Sequence, residues 1–220
     1  MLDRTLTSAL VLLALASPSP GRAAAPGAAG PEVIDRVLAV VGGRVITLTD
    51  ARAAVEFGFV TPRPASDPVS DALAYLVNRQ LMLSEVDRYS APTPAAAAVE
   101  RRTAEIRARF RDGAAWERAL ARNGTTFARL RDLVMDDLRI GAYLDQRFSA
   151  AAQPTSEEVS RYYHDHAAEF TRDGRLLPFE QVQAQAESKV MTERRNALIA
   201  EWLDRLRRRL DVRTSYAPAG

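Results

Sequence analysis

Residues 35–50 read DRVLAVVGGRVITLTD, and the fold turns on them. An apolar, β-branched run from Val33 to Val41 meets Gly42-Gly43 and then Arg44-Val45-Ile46-Thr47. Two glycines between apolar strands suit a tight primed turn, in which both central residues need positive φ. The stretch therefore predicts a hairpin. Thr49 or Asp50 is placed to cap a helix that runs to about Phe57.

Beyond Phe57 the pattern is helical. Residues 58–68 (GFVTPRPASDP) form a Pro-rich loop, and Val69–Tyr89 reads as the main core helix. Leu73, Leu76, Val77, Leu81, Met82, Leu83 and Val86 cover most of its circumference, which implies burial on several sides. Gln80, Ser84, Asp87 and Arg88 leave a narrow wet stripe. Thr93 and Pro94 read as N-cap and first residue of a helix over 94–110. A short helix over 114–122 stops at Asn123-Gly124, a left-handed cap. Phe127–Phe148 repeats apolar residues every three or four positions. Thr155 with Glu158 fits a capping box. Arg172–Arg175 is a turn, and Phe179–Leu210 is a long final helix. Residues 211–214 are short enough to return as a strand beside the hairpin. Residues 215–220 read as a flexible tail.

The composition narrows the function. The chain of 220 residues has no Cys and only two His, with 30 basic and 28 acidic residues. No disulfide, thiolate metal site or Cys nucleophile is possible. Lys189 is the only lysine, so the positive charge rests on Arg. His164 and His166 lie two apart on a helix and point about 200° from each other, the wrong spacing for a shared metal. No nucleotide-binding loop follows Gly42-Gly43, and no nucleophile elbow frames a Ser. The pairs Asp136-Asp137 and Glu157-Glu158 read as solvated helix faces or helix-start charges. Arg207–Arg209 is diluted by Glu201, Asp204 and Asp211. It reads as a helix-dipole complement, or as a contact for anionic lipid headgroups, and not as a nucleic-acid site. No cofactor, metal or catalytic residue is expected.

The first residues read as an address. Arg4 precedes the apolar run Ala9–Ala16, and Ser17–Gly21 breaks any helix. Small residues then offer cleavage near Ala25, or after Ala28 or Ala29. The run is shorter than the about 20 apolar residues a bilayer span needs. An interfacial or disordered tail is the alternative. The reading predicts a signal peptide over 1–29, export to the periplasm, and one domain over 31–214, without stable membrane insertion.

Across that domain the sequence resembles the SurA-type periplasmic chaperones. Residues 35–50 resemble their opening hairpin and helix start. Residues 76–86 (LVNRQLMLSEV) are similar to the family's next helix. Gly124 followed by Phe127 and Leu130 matches its Gly-led long helix. Residues 154–163 (PTSEEVSRYY) with Phe170 look like the segment before its parvulin-type prolyl isomerase module, and residues 178–182 (PFEQV) through Trp202, Leu206 and Val212 look like the returning helix and closing strand. The resemblance implies a mainly α fold, a helical chaperone core with a small N-terminal β-hairpin joined by a short C-terminal strand.

One departure matters. Only Thr171–Leu177 separate the positions that flank the isomerase module in the family, so the module's catalytic residues have no counterpart and none is carried over. The resemblance then implies an ATP-independent chaperone for unfolded exported polypeptides, outer-membrane proteins foremost, and not an enzyme. The alternative is a non-catalytic structural subunit of a cell-envelope assembly with one dedicated partner. Phe57 and Phe59, flanking Gly58, are the candidates for exposed client contacts. The competing expectation is that both pack under the loop.

Overall fold

A computed structural model describes residues 35–89 and 92–217. The hairpin forms as expected: β1 (Val37–Val41) pairs antiparallel with β2 (Arg44–Thr47). Gly42 and Gly43 take φ of 54° and 80°, the region an L side chain rarely enters. The expected signal peptide, with cleavage near Ala25 or Ala29, lies outside the described residues.

Thr47 ends β2 and at once caps α1 (Leu48–Glu56). Its side chain accepts from the Asp50 amide, and the Asp50 carboxylate accepts from the Thr47 amide. The cap therefore falls two residues before Thr49, because strand runs into helix without a linker. Asp67 caps α2 (Pro68–Arg88), with Pro68 in the first turn, where its missing N–H costs nothing. The next helix, α3 (Ala96–Arg107), is shorter than expected and has no side-chain cap. Phe110 leaves it to pack on Phe57 and Trp116, at 5.9 and 5.3 Å between ring centroids. Then come α4 (Gly113–Arg122), α5 (Phe127–Phe148) and α6 (Ser156–Asp165), whose Thr155–Glu158 capping box is formed.

A 3-10 turn (Ala167–Phe170) leads into a two-residue hairpin of β3 (Thr171–Arg172) and β4 (Arg175–Leu176). Asp173 and Gly174 turn it with positive φ. The segment between Phe170 and Pro178 is this hairpin. Helix α7 (Phe179–Arg209) comes next, and β5 (Val212–Thr214) closes the chain on β1. The sheet order is β2-β1-β5. Val40 lies opposite both Val45 and Arg213. The protein is thus mainly helical, with a small hairpin joined by a C-terminal strand.

The expected tail is partly anchored. The Ser215 amide donates to the Leu38 carbonyl at 2.8 Å. The Tyr216 hydroxyl donates to Asp67 at 2.5 Å, and its ring lies under Arg36. Residues 218–220 lie outside the described residues.

Apolar side chains gather in three clusters. The largest joins the inner sheet face (Leu38, Val41, Ile46) to α1, α2, α5 and the C-terminal half of α7, including Trp202 and Leu206. A second holds Phe57, Val99, Ile106, Trp116 and Leu130, and so builds an arm from α3, α4 and the start of α5. The third joins α6 to the N-terminal half of α7 through Tyr163, Phe170 and Val182.

Candidate functional site

The sequence-derived candidates separate. Phe57 is fully buried, at 0% exposure, and anchors the second cluster against Trp116. It is not a surface contact. The reason is the turn at Gly58, whose φ of 71° tucks Phe57 inward. A Cβ at Gly58 would sit 1.2 Å from the Arg109 guanidinium, which closes over this turn. Phe59 is half-buried between the first and second clusters. Phe57 packs against α3, α4 and the start of α5.

The histidines do not converge. His164 is exposed, whereas His166 is half-buried at the C-terminal end of α6, its ring stacked on Tyr162 at 4.0 Å. Among the described residues no group of three or more His, Asp or Glu is placed to hold a metal ion.

The largest correction concerns Asp136 and Asp137. They do not face solvent freely. Arg79 of α2 is 8% exposed and reaches across to α5. Its Nε donates to Asp137 at 2.6 Å, and its Nη2 donates to the Leu133 carbonyl at 3.1 Å and to Asp136 at 3.3 Å. The Tyr75 hydroxyl donates to the other Asp137 oxygen at 2.9 Å. Burial works against the charge of Arg79, but the opposite charge and hydrogen bond of Asp137 outweigh it and raise its pKa. Burial, followed by the charge of Asp137, pushes the Tyr75 phenol up. The Arg79 Nε and Nη2 and the Tyr75 hydroxyl all meet acceptors on α5. The group ties α2 to α5.

Arg207 and Arg209 are likewise occupied. Arg207 donates to Asn78 at 2.5 Å and Arg209 to the buried Glu85 at 2.9 Å, which fastens α7 to α2. Arg208 is exposed.

A surface with no signal in the sequence lies beside this junction. Tyr89 at the end of α2 is 58% exposed and stacks on Tyr143 of α5 at 6.2 Å. Tyr143 continues to Trp202 of α7 at 5.9 Å, and Trp202 to Phe148 at 5.7 Å. The Arg147 guanidinium lies over Tyr143, Phe148 and Trp202 at 5.9, 5.6 and 5.6 Å. Arg88 stands by the Tyr89 ring at 6.0 Å. The result is a row of rings fixed from below, open to solvent at Tyr89 and bordered by two arginines. The rings come from three helices, so no local spacing announces them. Only Tyr89 of this row reaches solvent; Tyr143, Phe148 and Trp202 are buried behind it.

Fold and surface together define a mainly helical, sheet-closed protein with a shallow aromatic platform. No family model, curated protein or solved structure matches this chain.

Proposed function

We propose that the protein is a periplasmic, ATP-independent chaperone that holds unfolded exported polypeptides, outer-membrane proteins foremost, without prolyl isomerase activity. The observation that carries this reading is the Tyr89 platform. It offers one exposed ring, backed by buried rings and flanked by charge, which suits brief contact with extended segments and not enclosure of a small molecule. The fold supports the reading, because the strand order and the short hairpin at 171–176 agree with a chaperone core that closes without an inserted module. Release then comes from competition with client folding or membrane insertion.

The test is aggregation of a denatured β-barrel membrane protein diluted into buffer and followed by light scattering. The purified protein is expected to suppress scattering at near-stoichiometric ratios without nucleotide. Tyr89→Ser is expected to weaken suppression about tenfold, since it removes an exposed ring worth about 1–1.5 kcal/mol of contact, while loss of its stack on Tyr143 lowers the melting temperature by only about 2–4 °C. No suppression beyond that of an inert protein would overturn the reading and favour a structural subunit with one dedicated partner.

A further inference from the structure

The charge of this chain is concentrated in one arm. Residues 96–132, which hold α3, α4 and the first turns of α5, carry nine Arg against five acidic residues, a net +4. The whole chain is +2, so everything outside this arm sums to −2. Within the arm Arg102, Arg111 and Arg122 pair with Glu105, Asp112 and Glu56. Arg101, Arg107, Arg118, Arg129 and Arg131 are exposed and form no salt bridge among the described residues. Glu100, Glu117 and Asp132 are the acidic residues of the arm left outside such pairs.

An exposed aromatic ring stands in the same arm. Phe127 opens α5 and is 47% exposed. Its ring packs edge-on to Trp116 at 6.3 Å, and Trp116, 2% exposed, rests in turn on the buried Phe57. Thr126 fixes the helix start by accepting from the Arg129 amide at 3.2 Å. Arg131 lies four residues on from Phe127, on the same side of the helix. The ring is thus held rigidly from below and uncovered above, with free guanidinium groups on the same helix.

We propose that this arm docks on the anionic headgroup surface of a lipid bilayer. Phe127 enters at headgroup depth, where an aromatic ring meets the edge of the hydrocarbon, Arg131 on its side of the helix faces lipid phosphates, and the other unpaired arginines of the arm add longer-range attraction to the anionic surface. A soluble polyanion would satisfy the arginines and leave the ring in water. A bilayer satisfies both, because apolar chains lie directly beneath the phosphate layer. Each arginine near an anionic surface contributes about 1 kcal/mol. The inference stands apart from the chaperone reading and holds whether or not the Tyr89 platform binds clients.

The experiment is cosedimentation of the purified protein with vesicles of phosphatidylcholine, with or without phosphatidylglycerol, at low and high salt. Binding is expected on the anionic vesicles, absent on neutral ones and lost at high salt. The triple variant Arg118→Gln, Arg129→Gln, Arg131→Gln is expected to lower partitioning at least about tenfold, through Arg131 at the surface and the reduced charge of the arm. Phe127→Ser is expected to lower it about tenfold, as loss of half a buried ring predicts. A control with the same charge change elsewhere, Arg172→Gln, Arg175→Gln, Arg208→Gln, is expected to keep most of the binding. Phe127→Trp supplies a readout in an intact arm: its fluorescence is expected to be quenched by brominated lipid in anionic vesicles. No binding, equal binding to neutral vesicles, an equal loss in both triple variants, or an unquenched Trp would each overturn the proposal. Capture of denatured polypeptide by the arm in place of vesicles would overturn it too.

Discussion

Arg79 shows what a single side chain does when its partners come from another helix. It sits on the wall of the main helix among Val77, Leu81 and Leu83, where a lone guanidinium is costly to bury. Asp137, Asp136 and the Leu133 carbonyl take up its charge and donors, and the Tyr75 hydroxyl donates to the other Asp137 oxygen. Breaking a buried pair costs more than replacing it, because the remaining charge is stranded. Asp137→Ala is therefore expected to destabilise the protein by about 2–3 kcal/mol, somewhat below the fully buried case because Asp136 remains and Asp137 keeps 28% of its side chain in water. Arg79→Met removes the charge and fills the space with methylenes, so it is expected to cost less than Asp137→Ala. Urea unfolding midpoints with an unchanged slope check the order. The reverse order would mean that the pair itself, and not the avoidance of a stranded charge, holds α2 to α5.

At the scale of elements, legibility tracks range along the chain. The hairpin, the Thr155 capping box, the α5 stripe and the returning strand are written in neighbouring residues or in a steady period, and all are readable. The cap of α1 falls at Thr47, two residues before the expected position, because strand and helix share it. Phe57 is legible only as apolar; its inward turn depends on Arg109, which closes over Gly58 from α3's end. The Arg79 group and the Tyr89 platform join residues more than 50 apart, and hydrophobic periodicity has no signal at that range. The Pro-rich loop before α2 is a similar case. Arg63 folds back so that its amide and guanidinium donate to Asp71 at 2.8 and 2.6 Å, and the Ser66 hydroxyl also donates to Asp71. The hydrogen bond from the Arg63 side chain, then those from Ser66 and the Arg63 amide, hold the Asp71 carboxyl well below the usual carboxylate range. A carboxyl with a depressed folded pKa adds stability that is present above its unfolded pKa and is lost as pH falls through the folded one. The contribution of this clip is therefore complete at neutral pH, begins to fall below about pH 4 and continues falling under more acid conditions. Asp71→Asn is expected to lower the neutral plateau by the clip's contribution and to flatten the acid side of the melting temperature against pH by the same amount. An unchanged acid limb would show that Arg63 is not held in this way in solution.

At the scale of the whole molecule, α7 decides how the parts are joined. It has 31 residues, about 46 Å at the helical rise, and serves two separate cores. Val182, Ala186 and Val190 pack with α6 and the short hairpin. Leu198, Trp202, Leu203 and Leu206 pack with the sheet, α2 and α5. Between them the segment from Met191 to Ala197 contributes no residue to either apolar cluster. It is tied instead by polar contacts, Arg195 to Asp145 at 2.5 Å and Arg194 to Glu158 at 3.1 Å. Exposed pairs of this kind contribute about 0–1 kcal/mol each, so the helix backbone itself carries most of the coupling between the two cores. Proline at an exposed position here removes one ladder hydrogen bond and clashes with the turn before it, at about 3 kcal/mol or more. Asn196 is exposed and touches neither cluster, so the cost of Asn196→Pro falls on the junction. Amide exchange is expected to speed up across α6 and residues 179–195 while the strands and α2 keep most of their protection, and the thermal transition is expected to split. A single transition, lowered as a whole, would mean that the third cluster has no stability of its own and folds only as an extension of the first.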